Sequence, residues 1–188
     1  MRQIGLVTAL VCALALALAL HASADSVGDT STTTTAASTD NTQAKRSAAS
    51  AQRLIDRYRR STWHWQRVMG TPLTLTLRRP PAWVDARIAV WKRVATQTKW
   101  RALHPPHMRE WLCIHRFEAA WNDPNAPYYG GLQMDLGFQR TYGARLLARK
   151  GTADRWTPVE QMWVAERALR AGRGFSAWPN TARVCGLV

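Results

Sequence analysis

The chain has 188 residues and a formal charge of +14, from 26 Lys and Arg against 12 Asp and Glu. With its leader and the polar tract behind it set aside, the length supports one domain with a real core and excludes two. A balance this basic fits either a polyanionic partner or a generic solubilising surface.

Residues 1–24 read as a signal peptide. Arg2 supplies the positive start, residues 4–20 form an almost unbroken apolar run, and Ala22-Ser23-Ala24 is a small-residue cleavage site. An uncleaved anchor is the competing reading, because the run approaches the roughly 18 apolar residues of a membrane span. Cys12 lies inside the run and leaves with it. Losing Arg2 lowers the charge from +14 to +13. Export argues against nucleic acid as the polyanion. Residues 25–50 are rich in Ser, Thr, Ala and Asp without apolar periodicity, and are expected to be a disordered linker.

A helical N-terminal extension is predicted over residues 51–105. Leu54, Tyr58, Trp65 and Met69 recur at helical spacing, and Gly70-Thr71-Pro72 ends that helix. Leu73, Leu75 and Leu77 alternate with Thr, which predicts a short strand or extended segment closed by Pro80-Pro81. Val84, Ile88, Trp91, Ala95, Thr98 and Ala102 then form one stripe, with Arg87, Lys92, Arg93, Lys99 and Arg101 largely off it. The stripe reads as a core-facing surface or as a wall-binding face.

Pro105-Pro106 breaks this helix, and another is predicted over 108–119, carrying Trp111, Cys113 and Glu118. Residues 122–127 have turn chemistry. Asp135 is placed to cap a helix to about Tyr142. Thr157-Pro158-Val159-Glu160 joins a capping residue, a first-turn proline and a glutamate able to close a capping box. The helix that follows is predicted to end near Gly172, with Glu166 pairing to Arg170.

Glu118 is the residue of most chemical interest. A carboxyl among aromatic and small residues keeps its proton to higher pH, because burial disfavours the charged form. A protonated carboxylic acid is what glycosidic-bond cleavage needs. A surface glutamate on an amphipathic helix is the plainer alternative. Cys113 and Cys185, the cysteines left after export, most simply pair, with two buried free thiols as the other possibility. Closing a 72-position loop is worth roughly 4 kcal/mol.

With the run Tyr128-Tyr129-Gly130-Gly131-Leu132-Gln133 in view, the chain resembles the resuscitation-promoting factors, secreted lysozyme-like enzymes that cut peptidoglycan glycan strands. The resemblance runs from Trp111 to Cys185. It rests on Glu118-Ala119-Ala120-Trp121, on the aromatic-glycine turn, on Gln161 and Ala165-Glu166-Arg167, and on Trp178 and Cys185. The chain departs from the family in one respect. There the glutamate usually follows a cysteine directly, with a glycine-rich spacer before the tryptophan, whereas here Cys113 lies five residues before Glu118 and Trp121 three after it. This marks a divergent branch.

The resemblance implies a mainly α (α+β lysozyme-like) fold over residues 106–188 and supports the Cys113–Cys185 bridge. It also implies a lytic transglycosylase. Such enzymes manage with one acid, because the muramyl 6-hydroxyl attacks internally. Of the neighbouring acids, Glu110 lies two helical turns away, Asp123 sits in a turn and Asp135 is a cap, although hydrolysis assisted by Asp135 stays open. Trp121, Tyr128 and Tyr129 are expected to meet sugar faces, Gln133 to bond an N-acetyl or hydroxyl group, and Gly130 and Gly131 to let the backbone approach a ligand. Each of these could equally be core. The expected partners are peptidoglycan glycan strands and anionic wall polymers, with the protein a monomer and no cofactor needed. His104, His107 and His115 have no zinc-site spacing, and Cys113 and His115, two apart on a helix, face different ways. A non-catalytic wall-binding or signalling module of the same shape is the rival function, and Glu118 discriminates the two.

Overall fold

A computed structural model describes residues 32–188, with side chains from residue 41 onward. The signal-peptide reading lies outside the described residues. The chain divides into two units, Met1–Asn41 and Thr42–Val188, and the packing described here belongs to the second. Among the described residues the protein is mainly helical: α1 (Thr32–Met69), α2 (Val84–Leu103), α3 (Met108–Phe117), α4 (Leu136–Lys150), α5 (Pro158–Ala168) and α6 (Pro179–Val184) are accompanied by one two-stranded sheet. No described helix is long and apolar enough to cross a membrane.

α1 begins at Thr32, so the tract expected to be a disordered linker is helical over residues 32–50. Its residues 41–50 are all exposed and bury nothing. Gln43, Ala44, Lys45, Arg46, Ala48 and Ala49 are good helix formers. Once a packed helix has been nucleated downstream, each residue added upstream gains a hydrogen bond without a new nucleus. The buried face of α1 is set by Ile55, Thr62, Gln66, Val68 and Met69, while Leu54 faces outward.

Residues 71–83 are extended but form no strand. Within the Leu–Thr alternation Thr74 and Leu77 are half-buried, while Thr76 is exposed. Thr74 N donates to Gln66 Oε1 at 2.9 Å, Gln66 Nε2 donates to Thr74 Oγ1 at 2.7 Å, and Trp63 Nε1 donates to Thr74 O at 2.7 Å. Leu73 and Leu75 are exposed. Side-chain hydrogen bonds from α1 replace the sheet partner that an alternating segment would otherwise need.

α5 is the centre of the molecule. Residues 160–166 are all buried, as expected of a helix packed on every side. On one side Trp163 meets Val68, Met69 and Ala102, and its indole N–H donates to Ala102 O at 2.7 Å. Arg167 Nη1 and Arg170 Nη2 donate to Val68 O and Met69 O at 3.1 and 3.3 Å, so guanidiniums satisfy the orphan carbonyls at the end of α1. On the other side Met162, Val164 and Ala165 pack with Trp111, Ile114, Leu132, Met134, Trp156 and Trp178. Of the α2 stripe, Trp91, Ala95 and Ala102 are buried, which favours the core reading.

Capping residues set two helix starts. Asp135 accepts from Phe138 N at 2.7 Å to start α4. Thr157 and Glu160 form the capping box that starts α5 behind Pro158. α4 continues past Tyr142 to Lys150, because Leu146 and Leu147 keep packing on the core and nothing interrupts the helix before Gly151.

Candidate functional site

α3 buries Trp111 and Ile114 completely and stops at Phe117, leaving Glu118 as its C-cap. The Glu118 N–H donates to Ile114 O at 3.1 Å. The side chain is partly exposed, and its Oε1 accepts a hydrogen bond from Thr181 Oγ1 at 2.7 Å. Thr181 lies in the first turn of α6. Cys113 and Cys185 are disulfide-bonded. One residue pair joins the start of α6 to the end of α3, and the disulfide joins the end of α6 to the middle of α3. The two helices are therefore fastened antiparallel at both ends of α6.

The aromatic-glycine turn reaches the same junction. Tyr128 and Tyr129 pair antiparallel with Asp135 and Met134, and Trp178 Nε1, just before α6, donates to Leu132 O at 2.6 Å. Asp123 organises the loop between α3 and this hairpin. Its carboxylate accepts from Asn125 N, from Asn125 Nδ2 and, at 2.9 Å, from Gln133 Nε2, while its carbonyl accepts from Gly130 N. Gln133 Nε2 also donates to Gly130 O at 3.0 Å, so both of its amide hydrogens are used within the loop. The Ala126–Pro127 peptide is cis.

The glycines of the turn are spent on internal packing. Gly130 is buried with φ +73°, and a Cβ there would lie 2.6 Å from Gln161 Oε1. At Gly131 a Cβ would meet His115 Nδ1 at 2.6 Å and Trp121 Cε3 at 2.7 Å. The molecule's own side chains come close at both positions. Gln161 is buried and donates to Trp121 O and Ala153 O at 2.7 and 2.9 Å, which ties the loop to α5. His115 stacks on Trp121 with ring centroids 3.9 Å apart, and its Nδ1 is 3.2 Å from Gly131 O.

Among the expected sugar-facing residues, Tyr128 is 49% exposed, whereas Trp121 and Tyr129 are half-buried and pack against the main core. Phe117 is 52% exposed and turns to solvent, so it does not enclose Glu118. The other acids have separate tasks. Glu110 sits in the first turn of α3, about 12 Å along the axis from Glu118. Asp135 caps α4. Glu166 does not pair with Arg170. It is 1% exposed and accepts from His107 N at 2.9 Å and Trp111 Nε1 at 2.8 Å, with His107 Nδ1 at 3.2 Å. Burial opposes ionisation of Glu160, but its bonds to Lys150 and to Thr157 outweigh that and hold its pKa below the ordinary value.

Thr181 and His115 are the positioning residues that sequence reasoning missed. Neither carries a local pattern, since each acts through a contact made across the fold. Gln161 was within the resemblance, though without an assigned task. No group of three or more His, Cys, Asp or Glu side chains among the described residues is placed to hold a metal ion. The chain matches no protein-family model, no curated protein and no solved structure in the comparisons made.

Proposed function

We propose that the protein is an exported, lysozyme-like glycosidase. On this reading it cuts peptidoglycan glycan strands between N-acetylmuramic acid and N-acetylglucosamine as a lytic transglycosylase, with Glu118 as general acid and base. The observation that carries the reading is the Glu118 carboxylate itself. It stands partly exposed at the junction of α3, α6 and the tyrosine hairpin, oriented by Thr181. Asp123, Asp135, Glu160 and Glu166 are all committed to structural bonds.

One acid is enough for this chemistry. Glu118 gives its proton to the glycosidic oxygen as the C1–O bond breaks. The 6-hydroxyl of the same muramyl residue attacks the positively charged C1, and the Glu118 carboxylate takes the hydroxyl proton. The product carries a 1,6-anhydro ring and the enzyme returns to its starting state. Tyr128 supports the reading as the most exposed of the three aromatic rings, while Trp121 and Tyr129 pack on the core and brace the loop.

Mass spectra of peptidoglycan digested by the purified protein test the proposal. Anhydro-muramyl ends are expected, and ordinary reducing ends, heavier by one water, would make it a hydrolase. Glu118→Gln preserves shape and removes the transferable proton. Lysis by this variant should fall by about a hundred- to ten-thousandfold while wall binding persists. Lysis at the parent rate would refute catalysis by Glu118 and leave a wall-binding module as the better account.

A further inference from the structure

A cavity of about 600 Å³ lies between the C-terminal end of α1, the turn after it, and the outer face of α4, with α5 behind. None of its lining comes from α3, α6 or the tyrosine hairpin, so it is separate from the Glu118 junction. Five cations line it, Arg67, Arg145, Arg149, Lys150 and Arg167, against one carboxylate, Glu160. That leaves a net formal charge of +4 around one half-open cavity.

Much of this charge is uncompensated. Lys150 pairs with Glu160 at 2.6 Å. No ion pair among the described residues involves Arg67, Arg145, Arg149 or Arg167. Helix dipoles account for part of the pattern, since Arg67, Arg149 and Lys150 sit in last turns, where a cation is favoured. Arg167 likewise sits in the last turn of α5, and only Arg145, a turn earlier in α4, falls outside that pattern. The Arg167 guanidinium is bonded only to backbone carbonyls, of Tyr142 at 2.6 Å and of Val68 at 3.1 Å. Burial, with Arg170 nearby, pulls its pKa down to about 10. A desolvated cation without a counter-charge is a cost that a bound anion would offset.

We propose that this cavity binds a ligand carrying two or more phosphate groups. Guanidinium forks suit oxyanions. A phosphate offers three acceptor oxygens and up to two charges in one group, which matches a cation-rich lining better than a carboxylate does. The volume exceeds a single phosphate, and Leu73, Pro72 and Leu146 give it an apolar side against which a hydrocarbon link between phosphates can lie. The site stands whether or not Glu118 is catalytic.

Calorimetric titration of the full-length protein at fixed ionic strength, with inorganic tripolyphosphate as probe, tests the proposal. One saturable site is expected. Arg145→Gln with Arg149→Gln should weaken it by about tenfold or more, the worth of a lost charge-assisted contact. Lys99→Gln with Arg101→Gln removes the same charge from exposed positions outside the cavity and should leave affinity unchanged, as should Glu118→Gln. A synthetic oligo(glycerol phosphate) separates the sources. Tighter binding than tripolyphosphate identifies a phosphodiester polymer, and weaker binding a free polyphosphorylated molecule. Absence of binding, equal losses in the two double variants, or citrate binding as tightly as tripolyphosphate would each overturn the site.

Discussion

At Glu118 the position of one carboxylate depends on a hydroxyl 63 positions further along the chain. Thr181→Val keeps the side-chain shape and removes that donor. Its net worth is roughly 1 kcal/mol, so on the proposed function the expected outcome is a fall of about fivefold in the rate of wall lysis, with Thr181→Ser close to the parent. A second expectation concerns Gly130, where φ of +73° and the contact with Gln161 both oppose a side chain. Gly130→Ala should lose about 1–3 kcal/mol in denaturant unfolding and loosen the loop that carries Tyr128. Glu118 and the aromatic-glycine turn were legible in the sequence because they are contiguous. Thr181, and the stacking of His115 on Trp121, were not, because a partner brought in by tertiary folding leaves no periodic or local trace. Gly130 also has a packing role that the sequence did not suggest: its missing Cβ leaves room for Gln161.

Among the helices, those with chemical punctuation were read best. The box at Thr157 and Glu160 and the cap at Asp135 stand where the residues place them, because capping is satisfied within a few positions. Ends set by packing were read less well. α4 continues because two leucines find core contacts, and α1 extends upstream by propagation, its residues 41–50 all exposed. The Leu73–Leu77 segment turned Thr74 inward because Gln66 offers it both a donor and an acceptor, a tertiary detail that alternation alone does not encode. At the start of α5 the charge on Glu160 has a pH signature. Its folded pKa lies below the ordinary 4.5, so its contribution is complete above that value and is lost as pH falls through the lowered one. Glu160→Gln keeps the capping geometry and should lower the melting temperature at neutral pH. The difference from the parent should shrink through that acid window, as followed by thermal melts across pH.

For the whole molecule, the mainly helical class was readable from apolar stripes and the diprolines between them. How the parts join was not. Trp163 and the guanidiniums of Arg167 and Arg170 fasten α1 and α2 to α5 through backbone carbonyls, contacts spanning 61 to 101 positions. The disulfide acts at the same scale. Replacing both Cys113 and Cys185 by Ser should cost roughly 4 kcal/mol, about 8–16 °C in melting temperature for a domain of this size, measured by calorimetry under matched conditions. The bond has a consequence in time as well as in energy. Since it closes α6 onto α3 and α6 carries the hydroxyl that aims Glu118, a chain whose thiols are still reduced holds that hydroxyl without its covalent tie. On the proposed reading, a newly made molecule reaches its full activity only where an oxidant completes the last covalent bond.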